Sequence, residues 1–284
     1  MKTAIVSLIL TLASPLAFAH EHLEAGAAST DPGTPLEFVN ADEYDADSGY
    51  VFGLTAGTPE DAYDGYYYTG DLVFAALAAT PPYGGPEPNA AALGAHIAVL
   101  LESIEGPAGG SFGFWETEVD DVDSTNLTWS VDVGLVNGTN RIDVSENDGS
   151  PGSDPYGHKH GRIYSVTVPG LYRIGFRFVD TSTNGPNGGP IQAPSELYTL
   201  NLQADLTLSI APSTNAVAVT FAAPSNLPDS GVGPATNYTV ESSPTLDATA
   251  NWQAASDVVV GDDHMHTVTL PLTAGTRFFR LRTD

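Results

Sequence analysis

Residues 171–179, Leu-Tyr-Arg-Ile-Gly-Phe-Arg-Phe-Val, decide the fold class of this 284-residue chain. Large apolar side chains occupy every second position of the stretch: Tyr172, Ile174, Phe176 and Phe178. Arginine and glycine fill the positions between them. Because strand side chains alternate between the two faces of a sheet, this pattern predicts a β-strand with one buried face.

The rest of the first 205 residues carries the same kind of pattern. Short runs rich in β-branched and aromatic residues are separated by Gly, Pro, Asn and Asp, which is typical of sandwiches and barrels. The predicted strands are 71–78, 96–104, 128–133, 162–168, 171–179 and 197–205. Pro169-Gly170 predicts a type II turn, so the strands on either side of it are predicted to form a hairpin. Residues 180–195 are predicted to form a surface loop.

A second unit is predicted from residue 206 onward. Its predicted strands are 206–210, 216–221, 237–242, 257–260, 266–270 and 277–282. Its predicted core residues are Tyr238, Val240, Trp252, Phe279 and Leu281. The predicted fold class is therefore all-β, with two antiparallel β-sandwich domains in tandem at residues 20–205 and 206–284.

The first nineteen residues match a secretion signal. Lys2 gives a positive start, residues 4–13 are apolar, and Ala17-Phe18-Ala19 fits a small-x-small cleavage site. The apolar run is shorter than the ~20 residues that span a bilayer, and no later run approaches this length. The sequence predicts a secreted, periplasmic or cell-surface protein without a membrane span.

Charge and cysteine content limit which partners and which metal ligands the chain can have. The chain has 35 Asp and Glu against 9 Lys and Arg, for a net charge of −26 at pH 7. Such a charge repels nucleic acid and anionic membranes and attracts cations, so no nucleic-acid partner is expected. Since cysteine is absent, the chain forms no disulfide, and imidazole and carboxylate are the strong metal ligands that it offers.

Histidine is the residue type whose spacing points to a ligand. Six of the seven histidines form His-x-His pairs, which are His20/His22, His158/His160 and His264/His266. Residues two apart on a strand share a face, so both imidazoles of a pair can bind one transition-metal ion. His158 and His160 lead directly into a predicted strand and are the main candidates, with Lys159 facing the other way. The alternative is a pair that hydrogen-bonds to backbone or carboxylates.

Two imidazoles do not hold zinc tightly, so further ligands are expected. The candidates are His20, His22, the lone His96, and the carboxylates Asp148 and Asp154. Zn²⁺ is the favoured ion, while Cu²⁺ and Ni²⁺ stay open because imidazole suits all three. The pair His264/His266 is interpreted as part of a solvated turn.

Catalytic motifs are absent from the sequence. It has no Gly-x-Ser-x-Gly, no His-Glu-x-x-His, no phosphate-binding glycine loop and no cysteine nucleophile. We therefore predict that the protein is not an enzyme. Two enzyme alternatives stay open. The 35 acidic residues offer carboxylate pairs for glycoside hydrolysis, and cleavage after Ala19 would give His20 a free amine beside its imidazole, as in the histidine brace of a copper mono-oxygenase.

Two segments of the first unit carry a resemblance to a known family. They are residues 97–109 with Phe112-Gly113-Phe114-Trp115-Glu116 after them, and His158-Lys159-His160-Gly161-Arg162-Ile163 leading to Pro169-Gly170-Leu171-Tyr172. On these residues, 20–205 resemble the choice-of-anchor M family, although Ile163 stands where that family has an aromatic residue. The resemblance implies a β-sandwich associated with metal-uptake gene clusters and zinc handling, with His20 or His22 as the family's early histidine.

Residues 206–284 resemble a fibronectin type III-like module of secreted bacterial proteins. The match rests on residues 237–244, Asn251-Trp252 and 278–282, and it implies a spacer or adhesion role. The leading hypothesis is a protein that binds a transition metal, zinc first, and scavenges it or delivers it to a transporter of an uptake system. The alternative is a non-catalytic surface structural or adhesion protein whose histidine pairs are incidental.

Overall fold

The structure is a computed structural model that describes residues 21–59, 63–116, 127–222, 237–246, 250–255, 259–260, 265–271 and 277–283. The predicted signal sequence, His20 and His264 lie outside these residues. Strands dominate the part of the chain that is described, which confirms the all-β fold class.

Thirteen of the described strands fall within residues 21–204. They are β1 (Glu21–Ala27), β2 (Leu36–Phe38), β3 (Val51–Ala56), β4 (Tyr67–Thr69), β5 (Leu72–Ala76), β6 (Ile97–Glu105), β7 (Ser111–Trp115), β8 (Trp129–Asp132), β9 (Arg141–Asp143), β10 (Gly157–His158), β11 (Ile163–Val166), β12 (Gly170–Asp180) and β13 (Tyr198–Ala204). The later strands are β14 (Ser209–Pro212), β15 (Ala216–Ala222), β16 (Asn237–Ser243), β17 (Gln253–Ala254), β18 (Val259–Val260), β19 (Met265–Pro271) and β20 (Phe278–Thr283). Each predicted strand overlaps one of these.

Helical structure is limited to short pieces in the described residues. These are α1 (Ala41–Tyr44) and the 3₁₀ turns Ala46–Ser48, Pro81–Tyr83 and Pro186–Gly188. No helix in the described ranges is both long and apolar enough to cross a bilayer.

Two sheets enclose the main hydrophobic core in a sandwich-type arrangement. One sheet has four strands in the order β10-β5-β1-β2, and the other is a curled sheet of nine in the order β8-β7-β11-β4-β3-β13-β12-β6-β9. Aromatic rings from both meet between them: Phe38 stacks on Phe178 with ring centroids 3.9 Å apart, and the ring of Phe74 lies 5.2 Å from that of Phe176. Burying such rings supplies much of the driving force for folding.

Strand direction departs from the prediction at two places. Most described pairs are antiparallel, as expected, but β1 runs parallel to β5 and β3 runs parallel to β13. Parallel neighbours need a long connection between them, so each of these pairs joins segments that are far apart in sequence. The first of these pairs positions the candidate site described below.

The predicted hairpin between residues 162–168 and 171–179 is wrong. β11 pairs with β7 and β4, whereas β12 pairs with β13 and β6. At the turn, the Tyr172 hydroxyl donates to the Val168 carbonyl at 2.9 Å and accepts from the Val168 N–H at 3.2 Å. A tyrosine bonded to the backbone a few residues upstream closes a corner between strands of a sandwich. The chain therefore turns a corner here instead of folding back on itself.

Tyr172→Phe should lower stability by about 1–2 kcal/mol, because two partly buried hydrogen bonds at the corner are lost while the buried ring stays in place. Chemical denaturation of the variant measures this loss. Tyr83→Phe serves as the control, since the Tyr83 side chain is exposed, and it should change stability by less than about 0.5 kcal/mol. Equal effects in the two variants would contradict the role of the corner.

The predicted loop after β12 is fastened by one buried carboxylate. Asp180 Oδ1 accepts from the N–H of His96 at 3.0 Å and of Ser182 at 2.8 Å. Asp180 Oδ2 accepts from the N–H of Ile191 at 2.8 Å and of Gln192 at 3.0 Å. A single side chain thus ties both ends of this loop to the start of β6.

The strands after residue 206 surround a smaller core. β14, β15 and β19 form one sheet, and β16 pairs with β17, β18 and β20 in another. Tyr238 and Val240 are fully buried, as predicted, and Phe279 and Leu281 pack against the core in part. Trp252 differs from the prediction, because it is half-buried and the Arg280 guanidinium lies over its ring at 4.5 Å. The indole there makes a cation–π contact with this side chain.

Candidate metal site

Three strands of the four-stranded sheet position the candidate site. β5 lies in the middle, with β1 parallel to it on one side and β10 antiparallel to it on the other. His22 pairs with Val73, and His158 pairs with Ala75. Leu23 is fully buried in the core. Since neighbouring residues on a strand face opposite ways, His22 and His158 both project from the outer face of the sheet.

The rings of these two histidines meet above β5, although the residues are 136 positions apart in sequence. His158 Nε2 lies 3.0 Å from His22 Nε2. The ring centroids are 4.4 Å apart, and the planes stand at 84° to each other. The methyl group of Ala75, on the same face of β5, leaves room for the rings to pass over the central strand.

His160 joins the same group. Its ring centroid lies 4.3 Å from that of His158 and 6.3 Å from that of His22. His22 and His158 are half-buried, whereas His160 is exposed. The predicted pair His158/His160 therefore lies beside His22, and His160 is the member of the pair that borders solvent.

Two nitrogens 3.0 Å apart allow two chemical states. In one, an N–H of one ring donates to the bare nitrogen of the other. In the other, both nitrogens bind one ion, since two Zn–N bonds at a tetrahedral angle place the nitrogens about 3.3 Å apart. Within the described ranges, no three His, Cys, Asp or Glu side chains are placed so that together they could hold a metal ion. Metal binding therefore requires the His160 ring to turn toward the other two.

The short strand β10 is held from its outer edge. The His158 N–H donates to Glu146 Oε1 at 2.9 Å, and the Glu146 N–H donates to the Tyr156 carbonyl at 2.9 Å. Gly157 lies directly against residue 144, because a Cβ at this position would be 1.8 Å from the Val144 carbonyl oxygen. Only glycine permits this approach, which fixes how far His158 projects over β5.

A single amide fixes the other side of the site. Asn40 Nδ2 donates to the His22 carbonyl at 2.6 Å, and Asn40 Oδ1 accepts from the Glu24 N–H at 3.0 Å. β2 does not extend along this part of β1, so the Asn40 side chain satisfies the His22 carbonyl and the Glu24 N–H in its place. The segment that carries His22 is as well supported as a strand in mid-sheet.

The remaining predicted ligands have other partners or lie outside the described residues. His96 Nδ1 lies 2.8 Å from Thr181 Oγ1, so this ring contacts the loop after β12. Asp154 Oδ1 accepts from the N–H of Ala79 at 3.1 Å and of Tyr156 at 3.0 Å. The prediction for His20 falls on a residue that the structure does not describe.

Asp148 closes a turn. Its Oδ1 accepts from the Ser150 N–H at 3.0 Å, and the hydrogen bonds from Ser150 hold the pKa of this carboxyl below its ordinary value. One oxygen of Asp148 and one oxygen of Asp154 are therefore bonded to backbone N–H groups.

The face around the histidines is strongly negative. Glu24 pairs with Ala75 and so lies on the same face of the sheet as His22 and His158. Burial, followed by the negative charges of Glu87 and Glu43, raises the pKa of Glu24. Sequence reasoning missed Glu24 and Glu146. The spacing His22-Leu23-Glu24 was the available signal for Glu24, because it places both side chains on one face.

His266 does not lie in a solvated turn, contrary to the prediction. It is a half-buried residue of β19 opposite Phe221. Its ring centroid lies 5.2 Å from that of Phe221 and 6.3 Å from that of Tyr238. The ring packs at the edge of the smaller core, which its apolar faces allow.

No protein-family model and no curated protein matches this chain. The resemblances to the choice-of-anchor M family and to a fibronectin type III-like module therefore stay predictions.

Proposed function

We propose that this protein binds one transition-metal ion, zinc first, through His22, His158 and His160. Its role is to scavenge the metal outside the cytoplasm, as a secreted, periplasmic or surface protein, or to hand it to the transporter of an uptake system. The observation that carries the proposal is the 3.0 Å separation of His22 Nε2 and His158 Nε2. The contact joins the ring nitrogens, which are the atoms of imidazole that bind a metal ion.

The chemistry of the site supports zinc. Neutral imidazoles at about 2.0–2.1 Å are common zinc ligands, and three of them leave a fourth position open. Cu²⁺ and Ni²⁺ also accept imidazole, and the divalent series predicts tight copper binding wherever copper is available. The net charge of −26 raises the local concentration of any cation.

The exposure of the site supports transport over a structural role. Structural zinc sites are closed to incoming ligands. Here His160 is exposed, so an incoming chelator or a partner's ligand has access to the ion. An ion held this way exchanges more readily than one sealed in a core.

The competing function is that of a surface structural or adhesion protein. A hydrogen bond between the two ring nitrogens would satisfy both without any metal. The two functions differ in one measurable property, which is the affinity of the histidine group for zinc.

Zinc titration in competition with a chromophoric chelator tests the proposal. We expect the purified protein to bind one equivalent at pH 7.5 with a Kd of ~1 μM or tighter. Because protons compete for imidazole nitrogens near pH ~6.5, affinity should fall by more than about 10-fold at pH 5.5. The double variant His158→Ala/His160→Ala should bind about 100-fold more weakly or worse.

His96→Gln is the matched control, because the His96 ring contacts Thr181, and its zinc affinity should equal that of the wild type. Millimolar binding by the wild-type protein would contradict metal transport. So would a double variant that binds as tightly as the wild type. Either result favours the structural or adhesion function.

A further inference from the structure

We propose that Glu24 is the fourth ligand of the histidine site, which makes it a three-histidine, one-carboxylate centre for a divalent ion. This inference rests on the proposed metal-binding function. It follows from the register of β1, β5 and β10, which places Glu24 as close to the meeting point of the imidazoles as the histidines themselves.

The strand register places three of the four side chains around β5. His22 and Glu24 lie two apart on β1, opposite Val73 and Ala75 respectively. His158 lies opposite Ala75 from the other side. His160 follows His158 by two residues, beyond the end of β10, and its ring centroid lies 4.3 Å from that of His158 and 6.3 Å from that of His22.

Sheet dimensions give the distances. Neighbouring strands lie ~4.8 Å apart, and each residue advances the strand by ~3.3 Å. The point midway between His22 and His158 therefore lies over β5, with the Cα atoms of His22, Glu24 and His158 each about 6 Å from it in the plane of the sheet. An extended glutamate places its carboxylate oxygen about 5 Å from its own Cα. A Zn–O bond adds ~2.0–2.2 Å, so Glu24 reaches about 7 Å from its Cα, which covers an ion at this point up to about 4 Å above the plane of the Cα atoms.

Electrostatics favour the same assignment. Glu24 is half-buried next to the negative charges of Glu87 and Glu43. Without a cation these carboxylates repel one another, and an ion bound to Glu24 converts that repulsion into attraction. The charge balance also suits a divalent ion, because three neutral imidazoles and one carboxylate leave a single net positive charge.

Asn40 supports this role of Glu24. Its amide bonds the His22 carbonyl and the Glu24 N–H together. One side chain therefore fixes the backbone on both sides of Leu23, which sets the relative position of the two β1 ligands. Such outer contacts hold metal ligands in orientation.

The experiment compares the zinc affinity of Glu24→Gln with that of Glu43→Gln. Both changes remove one negative charge near the site, but Glu43 belongs to the short helix α1. Zinc affinity is measured on the whole purified protein by chelator competition. We expect Glu24→Gln to weaken binding about 10-fold or more and Glu43→Gln to weaken it less than about 3-fold. Thermal unfolding in a chelator verifies that both variants fold.

Co²⁺ titration gives a second measurement. The visible absorption of bound Co²⁺ reports its ligand set, so replacing a carboxylate by water should shift the spectrum in Glu24→Gln and leave it unchanged in Glu43→Gln. Wild-type binding with equal affinities and spectra in the two variants would overturn the assignment of Glu24 and leave the histidine site standing. A wild-type protein that binds neither ion overturns both.

Discussion

Asp180→Asn should destabilise the protein by about 3 kcal/mol, a loss that lowers the melting temperature by roughly 6–12 °C. The carboxylate accepts four backbone N–H groups, two on each oxygen, and its side chain is buried. Hydrogen bonds to an ionised acceptor are about twice as strong as neutral ones. An asparagine keeps one oxygen, but its NH₂ group faces two N–H donors that then have no acceptor.

Hydrogen exchange locates this effect. The amides of Ser182, Ile191 and Gln192 should lose protection first, since each depends on the Asp180 carboxylate. Asp143→Asn, on the exposed face of β9, is the matched control, with an expected change below about 0.5 kcal/mol. If Asp180→Asn melts within a degree or two of the wild type, the four hydrogen bonds do not hold the loop as described.

Gly157→Ala should cost about 2–3 kcal/mol of stability and weaken zinc binding about 10-fold. The added Cβ would lie 1.8 Å from the Val144 carbonyl oxygen and 2.8 Å from the Ser145 Cα. Both are backbone atoms, so β10 must move away from residues 144–145 and carry His158 with it. The measurements are chemical denaturation and zinc competition on the same preparation.

Gly189→Ala separates the close contact from the general effect of replacing a glycine. Its added Cβ would meet only the Pro186 carbonyl oxygen, at an ordinary 3.8 Å. This variant should match the wild type in stability to within about 0.5 kcal/mol and in zinc affinity. A Gly157→Ala protein that is destabilised but binds zinc normally would show that the position of β10 does not set the site.

The sequence predicts strands well where alternation is local. Residues 171–179 form the centre of β12 because their pattern is carried by neighbours two apart. Strand pairing depends on residues that are far apart in sequence. Pro169-Gly170 therefore gave a wrong prediction of a hairpin, because the chain forms a corner there that Tyr172 closes. A turn motif indicates that the chain changes direction, but it does not specify which strand the chain meets next.

The candidate site was predicted in part. The spacing of His158 and His160 identified one half, and His22 was one of several candidates for the other. The choice among them depends on β1, whose sequence Glu-His-Leu-Glu-Ala-Gly-Ala has weak strand propensity. It becomes a strand through its parallel pairing with β5. Glu24 was missed for the same reason, because its position matters only once the register with Ala75 is known.

The meeting of His22 and His158 has a mechanical consequence. A bound ion would cross-link the first described strand to a segment 136 residues later, closing a loop in a protein that has no cysteine with which to close one. Tying such distant positions restricts the unfolded chain much as a disulfide does. With the proposed ion bound, the protein should therefore resist unfolding more than its metal-free form does.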